Sequence, residues 1–184
     1  MASIPRSLAL TALVGIAFVL AACSDTTGRD AGAPDPGDAA PVVVEAACDD
    51  AQSGVTLIVD ASVLEVADAP SAWCVVTDEP IGAADALAAA GIEIEGTTQY
   101  PDDIVCRVGG VPSEDTDLVS ADGTVANETC ASMPPSFAYW SIWVDPADAG
   151  WGYAQEGLAT LRLSPGDALE LLFQLDGEPA TPAS

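Results

Sequence analysis

The chain has no histidine and no lysine, and its four arginines stand against 29 acidic residues in 184. Without histidine, the side chain best suited to proton transfer and metal ligation near neutral pH is missing. A Gly-x-Ser-x-Gly elbow, a phosphate-cradling glycine loop and close Cys-x-x-Cys pairs are also absent, so hydrolase, nucleotide and structural zinc chemistry lack their usual residues. The formal charge of −25 makes nucleic acid and anionic headgroups poor partners, because approach is repulsive. No internal repeat is visible, and no apolar run is comfortably long enough to span a bilayer. These absences point away from an enzyme. The carboxylate pairs Asp102 with Asp103 and Glu114 with Asp115 fall in loop-like stretches and read as solvated. Asp115, Asp117, Asp122 and Glu128 supply oxygen ligands of the kind calcium takes, but their spacing matches no EF-hand loop.

The N-terminus is the first positive signal. After Met1 and Arg6, a run from Leu8 to Ala22 is interrupted only by Thr11 and Gly15, which is the shape of a secretory signal. It ends in Leu20-Ala-Ala-Cys23, which resembles the lipobox of bacterial lipoproteins. That resemblance implies a signal peptide over 1–22, cleavage before Cys23, and acylation of Cys23 with diacylglycerol and an amide-linked chain such as palmitate. The mature chain would then sit at the cell membrane, lipid-anchored on the extracytoplasmic face. Buried methylenes contribute about 0.8 kcal/mol each, so several acyl chains anchor without a membrane-spanning helix. All 29 acids lie beyond Cys23 with only Arg29, Arg107 and Arg162, for a mature charge of −26.

Residues 23–46 are rich in Ser, Thr, Gly, Asp, Pro and Ala and show no hydrophobic period, which reads as a flexible stalk. Residues 47–175 have the length of one domain, and 176–184 repeat the stalk composition as a disordered tail. With Cys23 given to lipid, Cys48, Cys74, Cys106 and Cys130 form an even set in an exported chain. Three pairings exist. We expect Cys48 with Cys74 and Cys106 with Cys130, which close loops of similar length; a four-cysteine metal site is the competing reading.

Val55–Asp60 and Trp73–Val76 read as an antiparallel strand pair. Thr77-Asp-Glu-Pro80 then looks like a helix start, and Ile81, Ala84, Leu87 and Ala88 recur at helical spacing up to a stop at Gly91. Ile92–Glu95 and Asp103–Val108 alternate as strands, with a turn at Gly109-Gly110. A long polar connection follows over 111–135. Leu158–Leu163 and Ala168–Gln174 are further strands, separated by a type II turn at Ser164-Pro-Gly-Asp167. The result is an α+β domain, mostly antiparallel sheet with one main helix.

The stretch Phe137–Asp145, with Trp151-Gly-Tyr153 after it, holds six of the ten aromatic residues. At period two, Phe137, Tyr139 and Trp143 fall on one face and Trp140, Ile142 and Val144 on the other, the pattern of a strand inside a sheet. Two readings stand. In one, Trp140, Ile142 and Val144 fill the space under the helix while Tyr139 and Trp143 pack under the long loop. In the other, Tyr139, Trp140, Trp143, Trp151 and Tyr153 form a contact surface for a flat ligand or a protein partner.

Asp85–Gly91, Ile104–Gly110, Tyr139-Trp-Ser141 and Pro165-Gly-Asp167 together resemble the β-grasp-like domain at the C-terminus of transcobalamin and intrinsic factor. The resemblance covers about 55–175 and implies a β-grasp-like fold and a binding role, with a corrinoid or similar cofactor as ligand and an envelope transport protein as partner. The animal carriers close their cage with a separate helical domain, which this chain lacks. No resident cofactor is implied. A different class of role, an envelope adaptor docking another protein through the aromatic face or a sheet edge, fits the same residues.

Overall fold

The computed structural model describes residues 40–50, 52–65, 70–147 and 149–182. The signal segment, Cys23 and the stalk as far as residue 39 lie outside them. The described elements are β1 (Val42–Val44), β2 (Gly54–Asp60), β3 (Ser71–Val76), β4 (Ile81–Gly82), α1 (Ala83–Ala89), β5 (Ile94–Gly96), β6 (Val105–Val108), β7 (Leu118–Val119), β8 (Val125–Ala126), β9 (Ala138–Asp145), β10 (Gly152–Tyr153), β11 (Arg162–Leu163) and β12 (Ala168–Leu175). A 3-10 turn spans Ser62–Leu64. The domain is mostly sheet with one helix, an α+β architecture. Among the described residues, no helix is long and apolar enough to cross a membrane.

Six strands form the main sheet in the order β1-β3-β2-β12-β9-β10. The central pair, β2 and β12, runs parallel, with Leu57 beside Leu169 and Val59 beside Leu171; every other neighbour in this sheet is antiparallel. Parallel neighbours need a crossover, and here it is everything between residues 60 and 168, with α1 inside it. β12 is buried along most of its length because it lies between two strands and under cover on both faces.

One face of the sheet carries Val55, Leu57, Val75, Leu169, Leu171, Phe173, Ala138 and Trp140, and these join Ala83, Ala86 and Leu87 of α1 and Val105 and Val108 of β6 in one apolar cluster. The alanines let the helix lie close to the strands. α1 ends in a Schellman arrangement: Gly91 at φ +71 donates to the Ala88 carbonyl and Ile92 donates to that of Leu87. Two bridges close Cys48 to Cys74 and Cys106 to Cys130, with Cα separations of 4.7 and 5.5 Å.

Several expectations are corrected. Val42–Val44, assigned to the stalk, pairs with β3 as the edge of the main sheet, because three consecutive valines favour an extended strand. The helix begins at Ala83 and not near Pro80: Ile81 is held extended opposite Leu163, and Gly82 in extended geometry caps the helix. Its buried side is therefore Ala83, Ala86 and Leu87, with Ala84 and Ala88 outside. The 111–135 connection contains the β7–β8 hairpin, with Leu118 opposite Ala126. Of Leu158–Leu163, only Arg162 and Leu163 pair as strand; the rest is turn, with the Leu161 amide donating to the Gly157 carbonyl. The tail is packed as far as residue 182: the Leu175 amide and the Glu178 carbonyl bond across the Asp176-Gly177 turn, and the Gln174 amide group donates to the Pro179 carbonyl.

Candidate functional site

β9 separates its aromatics as period two requires. Trp140 points into the core, 6 % exposed, meeting Phe173 edge-on at a centroid distance of 5.3 Å while its indole N–H donates to the Val111 carbonyl. It is thus a core residue and no part of a contact surface, which corrects its place in the expected set. Tyr139 and Trp143 lie on the opposite face.

That second face can be read row by row from the register. Ala72, Ile58, Glu170, Trp143 and Tyr153 lie side by side across β3, β2, β12, β9 and β10. In the next row are Asp60, Leu172 and Ser141, and beyond it Gln174 beside Tyr139. Trp143 is buried, its indole N–H donating to Ser141 Oγ at 2.9 Å, and that hydroxyl donates to the Leu172 carbonyl at 2.8 Å. Tyr153 stacks on Trp143 at 3.9 Å with planes 29° apart, and is itself 52 % exposed. The ring pair puts a tyrosine at the outer edge of the sheet, backed by a tryptophan whose indole is bonded to Ser141, itself anchored to the Leu172 carbonyl. Tyr139 is half-buried beside them, and burial together with the Tyr153 phenol pushes its own hydroxyl pKa up. Trp151 is half-buried at the start of β10.

A groove of about 520 Å³ runs beside this edge, lined by Val144, Gly150, Gly152, Tyr153, Gln155 and Arg162 among others. Its size falls in the usual range for small-molecule sites. The β9–β10 turn that borders it is bent by Ala147 and Gly150, both at positive φ, and is held where the Gly150 amide donates to Asp145 Oδ1 at 2.7 Å. The Arg162 guanidinium donates to the Pro80 carbonyl, which holds this cation at the groove.

Beside the ring pair, on the neighbouring strand β12, lies a group that sequence reasoning missed. Glu170 is 2 % exposed, and no described residue hydrogen-bonds its carboxyl. Burial first, and then the Asp60 charge on the next strand, push it up from the ordinary 4.5 to about 7. Asp60 is also buried and accepts the Ser62 amide, so it is tied to the 3-10 turn. The available signal was an acid within the leucine-rich Ala168–Leu175 strand.

The acids considered for calcium are each committed elsewhere or stand alone. Asp122 is held down at about 2 by the Ser120 hydroxyl and then by Thr124, inside its own turn. Asp117 accepts from Asn127, and buried Glu128 accepts the Cys130 amide. Among the described residues, the only metal-type grouping is Cys106, Glu128 and Cys130, and its two sulfurs are joined to each other.

No family model, no curated protein and no solved structure matches this chain.

Proposed function

We propose that this is a lipid-tethered, non-catalytic binding protein of the extracytoplasmic face, which recognises its ligand at the β9–β10 edge. The observation that carries the reading is the half-exposed Tyr153, stacked on a locked Trp143 and bordering a ligand-sized groove. Rigid aromatic area of that kind favours binding, since little side-chain freedom is lost on contact. Two cystines fit an exported chain, and the Leu20-Ala-Ala-Cys23 ending supports cleavage at, and acylation of, Cys23. A β-grasp-like identity for the domain is supported by the strand order: two antiparallel pairs, β2 with β3 and β9 with β12, flank a parallel centre, with the helix in the crossover.

By its resemblance to the transcobalamin and intrinsic factor domain, a corrinoid passed to an envelope importer is the first ligand to test. A flat macrocycle would lie against Tyr153 with much of its area outside the groove. Titration with cobalamin, followed by quenching of tryptophan fluorescence, should saturate, and Tyr153→Ala should weaken it. If quenching is only the linear inner-filter loss, unchanged by the substitution, the corrinoid reading fails. Cell fractionation tests the anchor: Cys23→Ser should move the protein from membrane to soluble fraction.

A second reading has its own support. β1 and β10 are both edges of the main sheet, and Val42 and Val44 on β1 are exposed, so an envelope protein could add a strand there. Proline at Val43 would abolish that association while leaving ligand quenching at β10 intact.

A further inference from the structure

A second cavity lies away from the aromatic edge and shares no lining residue with the groove there. It measures about 240 Å³ and sits between α1, the β5–β6 hairpin and the turn at Leu158. Leu87, Ile92, Val105 and Leu158, all nearly fully buried, form its wall. Asp102 and Asp103 complete the lining and are exposed. Neither carboxylate has a hydrogen bond or ion pair to a described residue, and the lining contains no arginine. The nearest cation along the chain, Arg107, is occupied by Glu95 and by the Pro112 and Glu128 carbonyls.

The loop bearing the two acids is built to hold its shape. A Cβ at Gly96 would run into the Pro101 backbone, so the 97–103 segment is drawn tightly onto β5. The Asp103 and Ile104 amides both donate to the Tyr100 carbonyl, and the Tyr100 amide donates to the hydroxyl of Thr97, which is wholly buried. The Thr98 amide reaches the Cys130 carbonyl at 2.6 Å, which couples the loop to the Cys106–Cys130 bridge.

We propose that this pocket binds a small aliphatic amine, its hydrocarbon chain against Leu87, Val105 and Leu158 and its ammonium between Asp102 and Asp103. Charge complementarity selects this occupant: two unpartnered carboxylates at an apolar cavity, on a chain of formal charge −25, attract a cation and repel a fatty acid. The volume equals that of about eight water molecules, which suits a chain of about six carbons.

The test is calorimetric titration of the protein at low salt with n-hexylamine, hexan-1-ol and hexanoate. The amine should bind at one site about 25-fold tighter than the alcohol, since each of the two exposed charge pairs at contact distance is worth about fivefold in water. Hexanoate should not bind. Asp102→Asn with Asp103→Asn should reduce the amine to the affinity of the alcohol. Ala84→Phe, made on the exposed side of α1 at the cavity mouth, should abolish amine binding, as should Ala159→Phe from the facing wall; near-ultraviolet circular dichroism verifies that each variant is folded. Tyr153→Ala should leave amine binding unchanged. Equal affinity for amine and alcohol, full binding by both folded phenylalanine variants, loss of binding in Tyr153→Ala, or no saturation at all would each overturn the assignment.

Discussion

Replacing Glu170 by glutamine tests the electrostatics of the central strand. The native carboxyl titrates near 7, against an ordinary 4.5, because burial disfavours its charge and Asp60 adds to the penalty. Asp145, two rows from Asp60 on the same face, is the other acid along this surface, and Trp143 and Tyr153 supply no countercharge. Below pH 4.5 both native and unfolded chains hold the proton, so Glu170 costs nothing there. Between 4.5 and 7 the native state binds the proton and the unfolded state has released it, so stability falls as pH rises, and it levels off above 7. The whole change is about 3 kcal/mol, because holding one extra proton in the native state changes stability by about 1.36 kcal/mol per pH unit across that window. Glutamine keeps the shape without the charge and can donate to Asp60. Urea unfolding of the wild type and Glu170→Gln, followed by tryptophan fluorescence at about pH 4.5, 6 and 8, gives the difference directly, because all other carboxylates are common to both. The variant should gain on the wild type progressively, ending about 2–3 kcal/mol ahead of its difference at the acid end. A difference that stays flat across this range would show that Glu170 is not titrating in it and would refute the burial argument.

Other substitutions probe the remaining structure. Tyr153→Ala removes the ring stacked on Trp143 and should cost about 1 kcal/mol, with a red shift of tryptophan emission as water reaches the indole. Breaking either bridge by paired serine substitution should cost about 3 kcal/mol in urea, since each closes a loop of comparable length, with sequence separations of 26 and 24. Gly96→Ala forces a methyl into the Pro101 backbone and should cost about 1–3 kcal/mol, seen as a lower urea midpoint at unchanged slope. Trp140→Ala should cost about 3–5 kcal/mol, far more than any change at Tyr153, because its ring fills the core against Phe173.

The strands with unbroken alternation were the readable ones. In β9 the period places Trp140, Ile142 and Val144 on the core face and Tyr139 and Trp143 on the other, the division the sequence predicts except at Phe137, which precedes the strand and packs against the core instead of lying with Tyr139 and Trp143. Gly91 stops α1 because its positive φ suits the Schellman turn, a purely local requirement. Leu158–Leu163 misled because its leucines are apolar for different reasons: Leu158 lines the core from a turn, whereas Leu163 is buried in a two-residue strand beside Ile81. Val42–Val44 was hidden by the stalk-like residues before it. At the aromatic edge, the sequence picked out Tyr139, Trp140, Trp143, Trp151 and Tyr153 as a group but did not reveal that Trp140 belongs to the core or that Trp143 is buried under Tyr153.

What the sequence determined by itself is local: side-chain alternation along a strand, the conformations only glycine accepts easily, the excess of acid, and an even set of cysteines beyond Cys23. These follow from one residue and its near neighbours. The tertiary structure alone decided that β12 lies between β2 and β9, that β4 meets β11, and that Glu170 is buried beside Trp143. Strands are joined by backbone N–H and C=O groups that every residue other than proline carries alike, so pairing leaves little mark on the sequence. The burial of a given side chain, and with it the charge it can hold, is known only once its neighbours across the sheet are in place.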